Sequence, residues 1–497
     1  MTGGHTHFIL RDNELPDEPL LSLSRSSKMK FWKLYGIFLL ASYVSSPIVS
    51  ANSSRPNVLL IVSDDQRPDT IAALGNPVIR TPNLDQLVRR GTTLTRATCA
   101  NPICTPSRAE ILTGSSGFEN GSLDFGQGFG PDVTTLAKTL KNVGYRTGYV
   151  GKWHNKGLPT DHGYERTAGL YRGGGGKWWK PQTDANNRPV TGYRGWIFYD
   201  ENGQRQPERG VGLTGDISAS FADAAISLIE TDSKTSDDAP FFVHVNFTAP
   251  HDPLLLPTDK QFHYHPDQVP LPKNFLPRHP FDHGNYDGRD EQLFEWPRTE
   301  KMVRDELAVY YAVISHMDAQ VGRILTALEK SDQAKNTIVV FTSDHGLAIG
   351  SHGLRGKQNM YEHTIGVPLV IAGPNIPANA RRSAQCYLRD IFPTVCDLAD
   401  VTIPASVSGR SLKPVLLGHQ SEIYPAVFGY FRSSQRMIRT QEWKLIRYPQ
   451  ISQEQLFHLT TDPNELENLI DEPKHKAVAD RLRQQLQRWQ KSVGDQP

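Results

Sequence analysis

Apolar residues in this chain gather in short runs of strand length, each closed by a polar cluster. Asn57 to Val62 leads into Asp64-Asp65, and Tyr145 to Val150 into Lys152 and His154. Phe241 to Phe247 leads into Pro250-His251-Asp252, Thr337 to Thr342 into Asp344-His345-Gly346, and Val367 to Ile371 ends at Gly373-Pro374. The runs are rich in β-branched and aromatic residues, which suit strands. Helical patterns lie between them, as over Thr134 to Val143 and Arg304 to Lys330. This alternation predicts an α/β fold with a large, mostly parallel sheet sandwiched by helices. Ligands of such sheets bind beyond the carboxyl ends of the strands, so four polar clusters are expected to converge on one edge.

The pattern changes near Leu412. Short alternating runs follow at Ala426 to Phe431, Arg436 to Arg439 and Trp443 to Tyr448, then a charged helical stretch from about Glu472 to Val493. They predict a small C-terminal antiparallel sheet with a helix packed on it. The expected organisation is a leader over 1–51, a catalytic α/β domain over 52–410 and a small α+β subdomain over 411–497. Ala249 to Pro297, rich in Pro, His and Asp with little periodicity, is expected to be a long ordered insertion over the site edge. Gly173 to Gly176 reads as a flexible loop, and no internal repeat is present.

The longest apolar run, Leu34 to Val44, follows Lys30 and Lys33 and precedes Val49-Ser50-Ala51, the order of a secretory signal peptide. Eleven residues are too short for an ordinary spanning helix, so export to the periplasm or beyond is expected, without stable membrane association, an uncleaved anchor being the alternative. Met29 stands where such a signal would begin. Composition narrows the partners. The 54 Lys and Arg balance 53 Asp and Glu, and removal of the leader leaves 49 of each. No net field draws nucleic acid or an anionic surface. Four cysteines are too few for a disulfide scaffold.

Adjacent Asp64 and Asp65 repel unless a cation joins them, although a solvated turn also accommodates two acids. A second cluster, Asp344-His345, favours the cation, because oxygen ligands from separate strands suit Ca²⁺ or Mg²⁺. His345 is an imidazole where a hard ion prefers oxygen. In CTPSRAEILTG, Cys104 to Gly114, Pro106 fits the first turn of a helix and Gly114 its end. Cys104 then lies at the positive end of a short helix, as a nucleophile or as a buried apolar residue.

Cys104-Thr105-Pro106-Ser107-Arg108 followed by Leu112-Thr113-Gly114 resembles the signature of the type I sulfatases, whose cysteine is oxidised to formylglycine. Other motifs agree in order: NVLLIVSDDQ from 57, GKWH at 151–154, APHDP at 249–253, FTSDHG at 341–346 and GKQNMYEH at 356–363. The resemblance runs from about Arg55 to Leu469, through RMIRTQEWKLIRY and LFHLTTDPNELENL. It implies an alkaline-phosphatase-like fold, with His345 as in the branch resembling iduronate sulfatase. By the same resemblance, Asp64, Asp65, Asp344, His345 and an oxygen at position 104 hold one Ca²⁺, which acts as Lewis acid and template. Arg108 and Lys152 fix the formylglycine diol, and His154 takes its proton. His251 and Lys357 surround the leaving oxygen and transferred sulfuryl group. A formylglycine-generating enzyme is the implied maturation partner. Asn155-Lys156-Gly157 departs from the Leu-Gly that often follows GKWH in the family.

The expected substrate is a sulfated carbohydrate, since an exported enzyme meets such polymers. A phosphonate or phosphate ester hydrolase is the alternative within the fold, and a noncatalytic glycan-binding relative the alternative outside catalysis. Cys99, Cys386 and Cys396 leave room for one disulfide at most, and Cys386 and Cys396 read as buried thiols rather than a bridge. Trp178 and Trp179 offer stacking surfaces for a sugar, and His263, His265 and Arg355 offer contacts to a second sulfate. Surface packing is the role expected of each.

Overall fold

The computed structural model describes residues 55–234 and 239–496. The leader over 1–51 lies outside the described residues. Ten strands form one sheet: β1 (Asn57–Ser63), β2 (Thr92–Thr98), β3 (Arg146–Lys152), β4 (Arg166–Gly173), β5 (Trp196–Tyr199), β6 (Arg205–Val211), β7 (Phe241–Asn246), β8 (Thr337–Ser343), β9 (Leu369–Ala372) and β10 (Ala380–Tyr387). Their order is β10-β2-β9-β8-β1-β7-β3-β4-β5-β6. The central strands β8, β1, β7, β3 and β4 run parallel. All seven residues of β1 are buried, and alternate side chains enter opposite layers. Val58, Leu60 and Val62 pack with Ile111, Leu112, Leu140 and Ile391. Leu59 and Ile61 pack with Phe221, Ile229, Met317 and Val321, from the helices Ile217–Ser233 and Glu300–Lys330. The sandwich predicted from the sequence is present.

The last of the predicted runs differs in direction. β9 is antiparallel to both β8 and β2, so Gly373-Pro374 points away from the edge where the four polar clusters gather. β4 also returns antiparallel through β5 and β6, and Gly175 N donates to Gly195 O across that return, giving the glycine run a fixed partner.

The register of the centre sets the site. Ser63 pairs with Ser343, and Val62 pairs with Asn246, which pairs in turn with Gly151. Asp64 and Asp344, one step beyond Ser63 and Ser343, therefore leave the sheet at one level, and Lys152, the last residue of β3, lies level with Ser63 just short of them. Gly151 is needed in this layer. It has φ +88, and a Cβ there would lie 2.0 Å from Asn246 O.

A second sheet, β11 (Ala426–Phe431), β12 (Gln435–Thr440), β13 (Trp443–Tyr448) and β14 (Gln453–His458), is antiparallel throughout. The helix Lys476–Val493 buries Ala479, Leu482 and Leu486 against its Ile438, Leu445 and Leu456. Its other face, through Phe431, Met437 and Ile446, packs on Ile103, Leu354 and Met360 beside the site edge. Among the described residues no helix is long and apolar enough to cross a membrane.

Candidate active site

Asp64 and Asp65 follow β1 and are fully buried. Asp65 adopts φ +67, and its amide donates to Asp344 Oδ1 at 3.1 Å. Asp344 follows β8, and its amide bonds back to Ser63 O at 3.3 Å. Three buried carboxylates thus share one pocket, which is costly without compensating charge.

Cys104 opens the helix Cys104–Thr113, all of whose residues are buried, and the helix ends at Gly114 as expected. Its Sγ lies 3.3 Å from His345 Nε2, 3.5 Å from Lys357 Nζ and 3.6 Å from Asp64 Oδ1. Burial disfavours a thiolate there, but Lys152, Lys357 and His345 outweigh it and hold the thiol pKa well below its ordinary value. Cys99 is instead pushed well up by burial, so the two thiols differ in kind. All four cysteines are free and buried, in keeping with the expectation for Cys386 and Cys396.

The basic residues are spent on the acids. Arg108 Nε lies 3.0 Å from Asp344 Oδ2, Nη2 3.4 Å from Asp64 Oδ1, and Nη1 donates to Asn246 Oδ1 at 2.7 Å. Lys152 Nζ lies 2.5 Å from Asp64 Oδ2. Lys357 Nζ is 3.0 Å from each oxygen of Asp65 and 2.7 Å from His251 Nε2. His154, half-buried at the end of β3, has an enclosed Nδ1 without a partner, and burial lowers its pKa. All ten residues singled out from the sequence meet in this one region.

Asp64, Asp65, Cys104 and His345 each offer a ligand atom within 4.8 Å of the others. Asp344 adds a carboxylate that contacts both Arg108 and His345, at 3.0 and 3.8 Å. Burial lifts Asp344 to about 7 and also raises Asp65, so these acids favour a further positive charge. Against burial, Asp344, Cys104 and Asp65 lift His345 to about 9. Oxygen donors from two strand ends fit a hard divalent cation.

Several contributors had no role assigned to them from the sequence. Tyr193 donates to Asp64 Oδ2 at 2.5 Å, and burial keeps its phenol protonated by raising its pKa far above the ordinary value. Asn155, at the departure from the family pattern, donates to Thr105 O at 3.0 Å, while Thr105 Oγ1 donates to His154 O at 3.2 Å. The pair ties the strand end carrying His154 to the helix that Cys104 opens. The insertion supplies Asp252, Arg289 and Asp290: Arg289 grips Asp252 through both terminal nitrogens and also pairs with Asp290. Arg355, expected at the surface, is buried because Glu306 at 2.7 Å and Asp252 at 3.7 Å neutralise it, and it contacts no open space. His263 bonds to Pro257 O and His265 faces Asp267. Above Cys104, His251 and Lys357 opens a cavity of about 460 Å³, walled by Phe125, Tyr193, Trp196, Arg289, Gln358 and Arg432 among others.

A family model described as Sulfatase matches residues 56–401. The chain belongs to the sulfatase family. A second model of the family, N-sulphoglucosamine sulphohydrolase, C-terminal, matches residues 350–492 of this sulfatase. An arylsulfatase of Clostridium perfringens is 30% identical over 87% of this chain and 94% of its own. An N-acetylglucosamine-6-O-sulfatase of Bacteroides thetaiotaomicron is 28% identical over 89% of this chain and 88% of its own. Among solved structures, one in complex with its substrate D-glucosamine-2-N,6-O-disulfate superposes with a TM-score of 0.71 at 24% identity, covering 89% of this chain and 98% of its own. A phosphonate monoester hydrolase from Silicibacter pomeroyi superposes with a TM-score of 0.72 at 21% identity, covering 88% and 96%. The enzyme is therefore a sulfatase on the alkaline-phosphatase-like fold foreseen from its motifs.

Proposed function

We propose that this sulfatase releases sulfate from a sulfated carbohydrate through formylglycine at position 104, formed from Cys104 by a formylglycine-generating enzyme. One observation carries the reading: Cys104 Sγ lies within 3.6 Å of Asp64, His345 and Lys357 at the buried head of a helix, where a nucleophile and an anion are both stabilised. Hydrated formylglycine is a geminal diol. One hydroxyl, deprotonated beside Lys357 and His345, attacks sulfur as an oxyanion, the S–O bond to the sugar breaks, and the sugar oxygen takes a proton from the His251–Lys357 pair. His154 then accepts the proton of the second hydroxyl, the aldehyde reforms, and sulfate leaves. A serine would have no second hydroxyl for that exit. Arg108 and Lys152 hold Asp344 and Asp64 in place and counter the charge gathered on the transferred group. Asp64, Asp65, Asp344 and His345 are the residues that would hold Ca²⁺, which polarises the sulfate when bound.

The carbohydrate part draws on relatives that act on sulfated sugars and on the cavity wall of aromatic, amide and arginine side chains, groups that stack on and hydrogen-bond to sugar rings. Export follows from the signal-like segment before Ala51, and 52–410 and 411–497 serve as catalytic domain and small subdomain. The likeness to a phosphonate monoester hydrolase favours a second reading, phosphonate or phosphate ester hydrolysis at the same residues. Mass analysis tests the nucleophile: the peptide containing residue 104 should weigh about 18 Da less than its cysteine form, the change from thiol to aldehyde. Full activity with an unmodified thiol would sink the mechanism. Matched sulfate, phosphate and phosphonate esters decide between the two readings, with a sulfated monosaccharide expected to give the highest kcat/KM.

A further inference from the structure

Tyr193 lies in the turn that precedes β5, far in sequence from every other group of the site. Its hydroxyl reaches Asp64 Oδ2 at 2.5 Å, the same oxygen that Lys152 Nζ reaches at 2.5 Å. Two donors on Oδ2 turn Oδ1 toward Cys104 Sγ, 3.6 Å away, and toward Arg108 Nη2 at 3.4 Å. The backbone adopts an unusual shape to deliver this phenol. Tyr193 has φ +56, a region that bulky side chains rarely occupy, and its carbonyl accepts from Trp196 N at 3.0 Å. The turn is pressed onto the site: a Cβ on Gly192 would lie 2.7 Å from Asp252 Oδ2 and 2.8 Å from Arg289 Nη1. The ring is clamped edge-on by His251 at 4.9 Å and Trp196 at 4.8 Å, with Lys152 Nζ 5.2 Å from its centre. A strained backbone, a clamped ring and a hydroxyl aimed at one carboxylate oxygen all serve one contact.

We propose that Tyr193 is a positioning residue for the cation ligand Asp64, its hydroxyl fixing Oδ2 so that Oδ1 is presented to the cation and to residue 104. The inference rests on reading Asp64 as a cation ligand. Partners that orient a ligating carboxylate commonly contribute 10- to 100-fold in metal affinity, because an unrestrained carboxylate must be ordered when the ion binds.

The test titrates Ca²⁺ by calorimetry into chelator-stripped, matured protein without substrate, so that turnover plays no part. Tyr193→Phe keeps the ring and should bind Ca²⁺ about 10- to 100-fold more weakly than the parent. Tyr171→Phe is the matched control. Its ring stacks 6.2 Å from that of Tyr193 and its hydroxyl has no hydrogen-bond partner, so Ca²⁺ affinity should equal the parent's. Parent-like affinity in Tyr193→Phe, with or without a lowered calcium-free melting temperature, would overturn the proposal. Equal weakening in both variants would overturn it too, since any lost phenol would then suffice. Asp64→Ala separates the two levels. Unchanged Ca²⁺ binding there means that Asp64 is no ligand, whereas loss of binding there with intact binding in Tyr193→Phe refutes the role of Tyr193 alone.

Discussion

His251 Nε2 lies 2.7 Å from Lys357 Nζ, so the two groups proposed to face the leaving oxygen share a hydrogen bond. His251 Nδ1 is 2.6 Å from Asp252 O, which places the proton of the neutral ring on Nδ1 and leaves Nε2 to accept from the ammonium. Burial and, less strongly, Lys357 work against a second proton on this ring, but Asp65, Asp252 and Asp64 together outweigh them and raise the pKa. In the proposed mechanism the pair would act as one proton reservoir rather than as an acid and a separate cation.

This coupling shapes the effect of mutation. Loss of His251 should slow a sugar sulfate far more than a nitrophenyl sulfate, whose good leaving group departs without a proton. General acid catalysis is typically worth 10²- to 10⁴-fold, and kcat/KM of His251→Ala on the two substrates in one buffer measures it. Lys357→Ala should show the same contrast, and the double variant should lose little more than the worse single one. An equal fall on both substrates would mean that His251 binds sulfate or shapes the pocket.

Three buried carboxylates around Cys104 call for metal as well as for basic side chains. Elemental analysis of the active enzyme should give about one alkaline-earth ion per chain, and Asp64→Ala should lose both ion and activity. Chelation should lower the melting temperature of the parent, because an ion bound only to the folded state stabilises it by mass action. Stoichiometric zinc in active enzyme would overturn the assignment.

What the sequence made legible follows from where each residue gets its role. Asp64 and Asp344 stand directly after buried β-branched runs, so local pattern alone put them at strand ends, and the parallel register makes them neighbours. Tyr193 and Arg289 come from segments without periodicity, and their roles exist only once the turn before β5 and the insertion fold over the edge. β2, with the sequence TTLTRAT, hides as a strand because four threonines and an arginine stand where apolar residues mark the other runs. The direction of β9 is equally invisible, since four apolar residues read alike both ways and only the path after β8 decides it.

Gly151 makes the sheet's geometry a condition for chemistry. A Cβ at 2.0 Å from Asn246 O meets backbone of the neighbouring strand, which cannot move aside as a side chain would. Gly151→Ala should cost on the order of 3 kcal/mol from strain and displaced backbone. It should also disturb Lys152 and the Asn246 contact to Arg108, lowering activity at temperatures where the variant is still folded. Gly144→Ala supplies the comparison, with φ +93 but nothing within 4 Å of the added carbon. If thermal melts show equal losses in the two variants, the close approach of β3 to β7 is not what Gly151 serves.

Acid should weaken this fold through histidines remote from the reacting atoms. His352 stacks on Tyr361 at 3.8 Å, His279 Nε2 bonds to the Tyr361 hydroxyl at 2.9 Å, His363 lies 5.6 Å from that ring, and His283 lies 5.4 Å from His279. Burial pushes His279 down to about 4 and His352 to about 3, and holds His283 and His363 well below their ordinary value. Asp282 and the carbonyls of Phe281 and Glu465 oppose the effect, while Lys444 and Arg67 add to it on His352 and His363. Every one of these pKa values is lower in the folded chain than in the unfolded one, so the unfolded chain binds more protons from about pH 6.5 down to about pH 3. Stability should be full above that window and fall as pH drops through it, by about 2 kcal/mol for His279 alone at pH 5. His283→Phe removes one ring whose two nitrogens have no hydrogen-bond partner, and it should flatten the profile. Urea unfolding of parent and variant at about pH 7.5 and about pH 5 gives the comparison, and parallel losses in the two proteins would show that acid acts elsewhere.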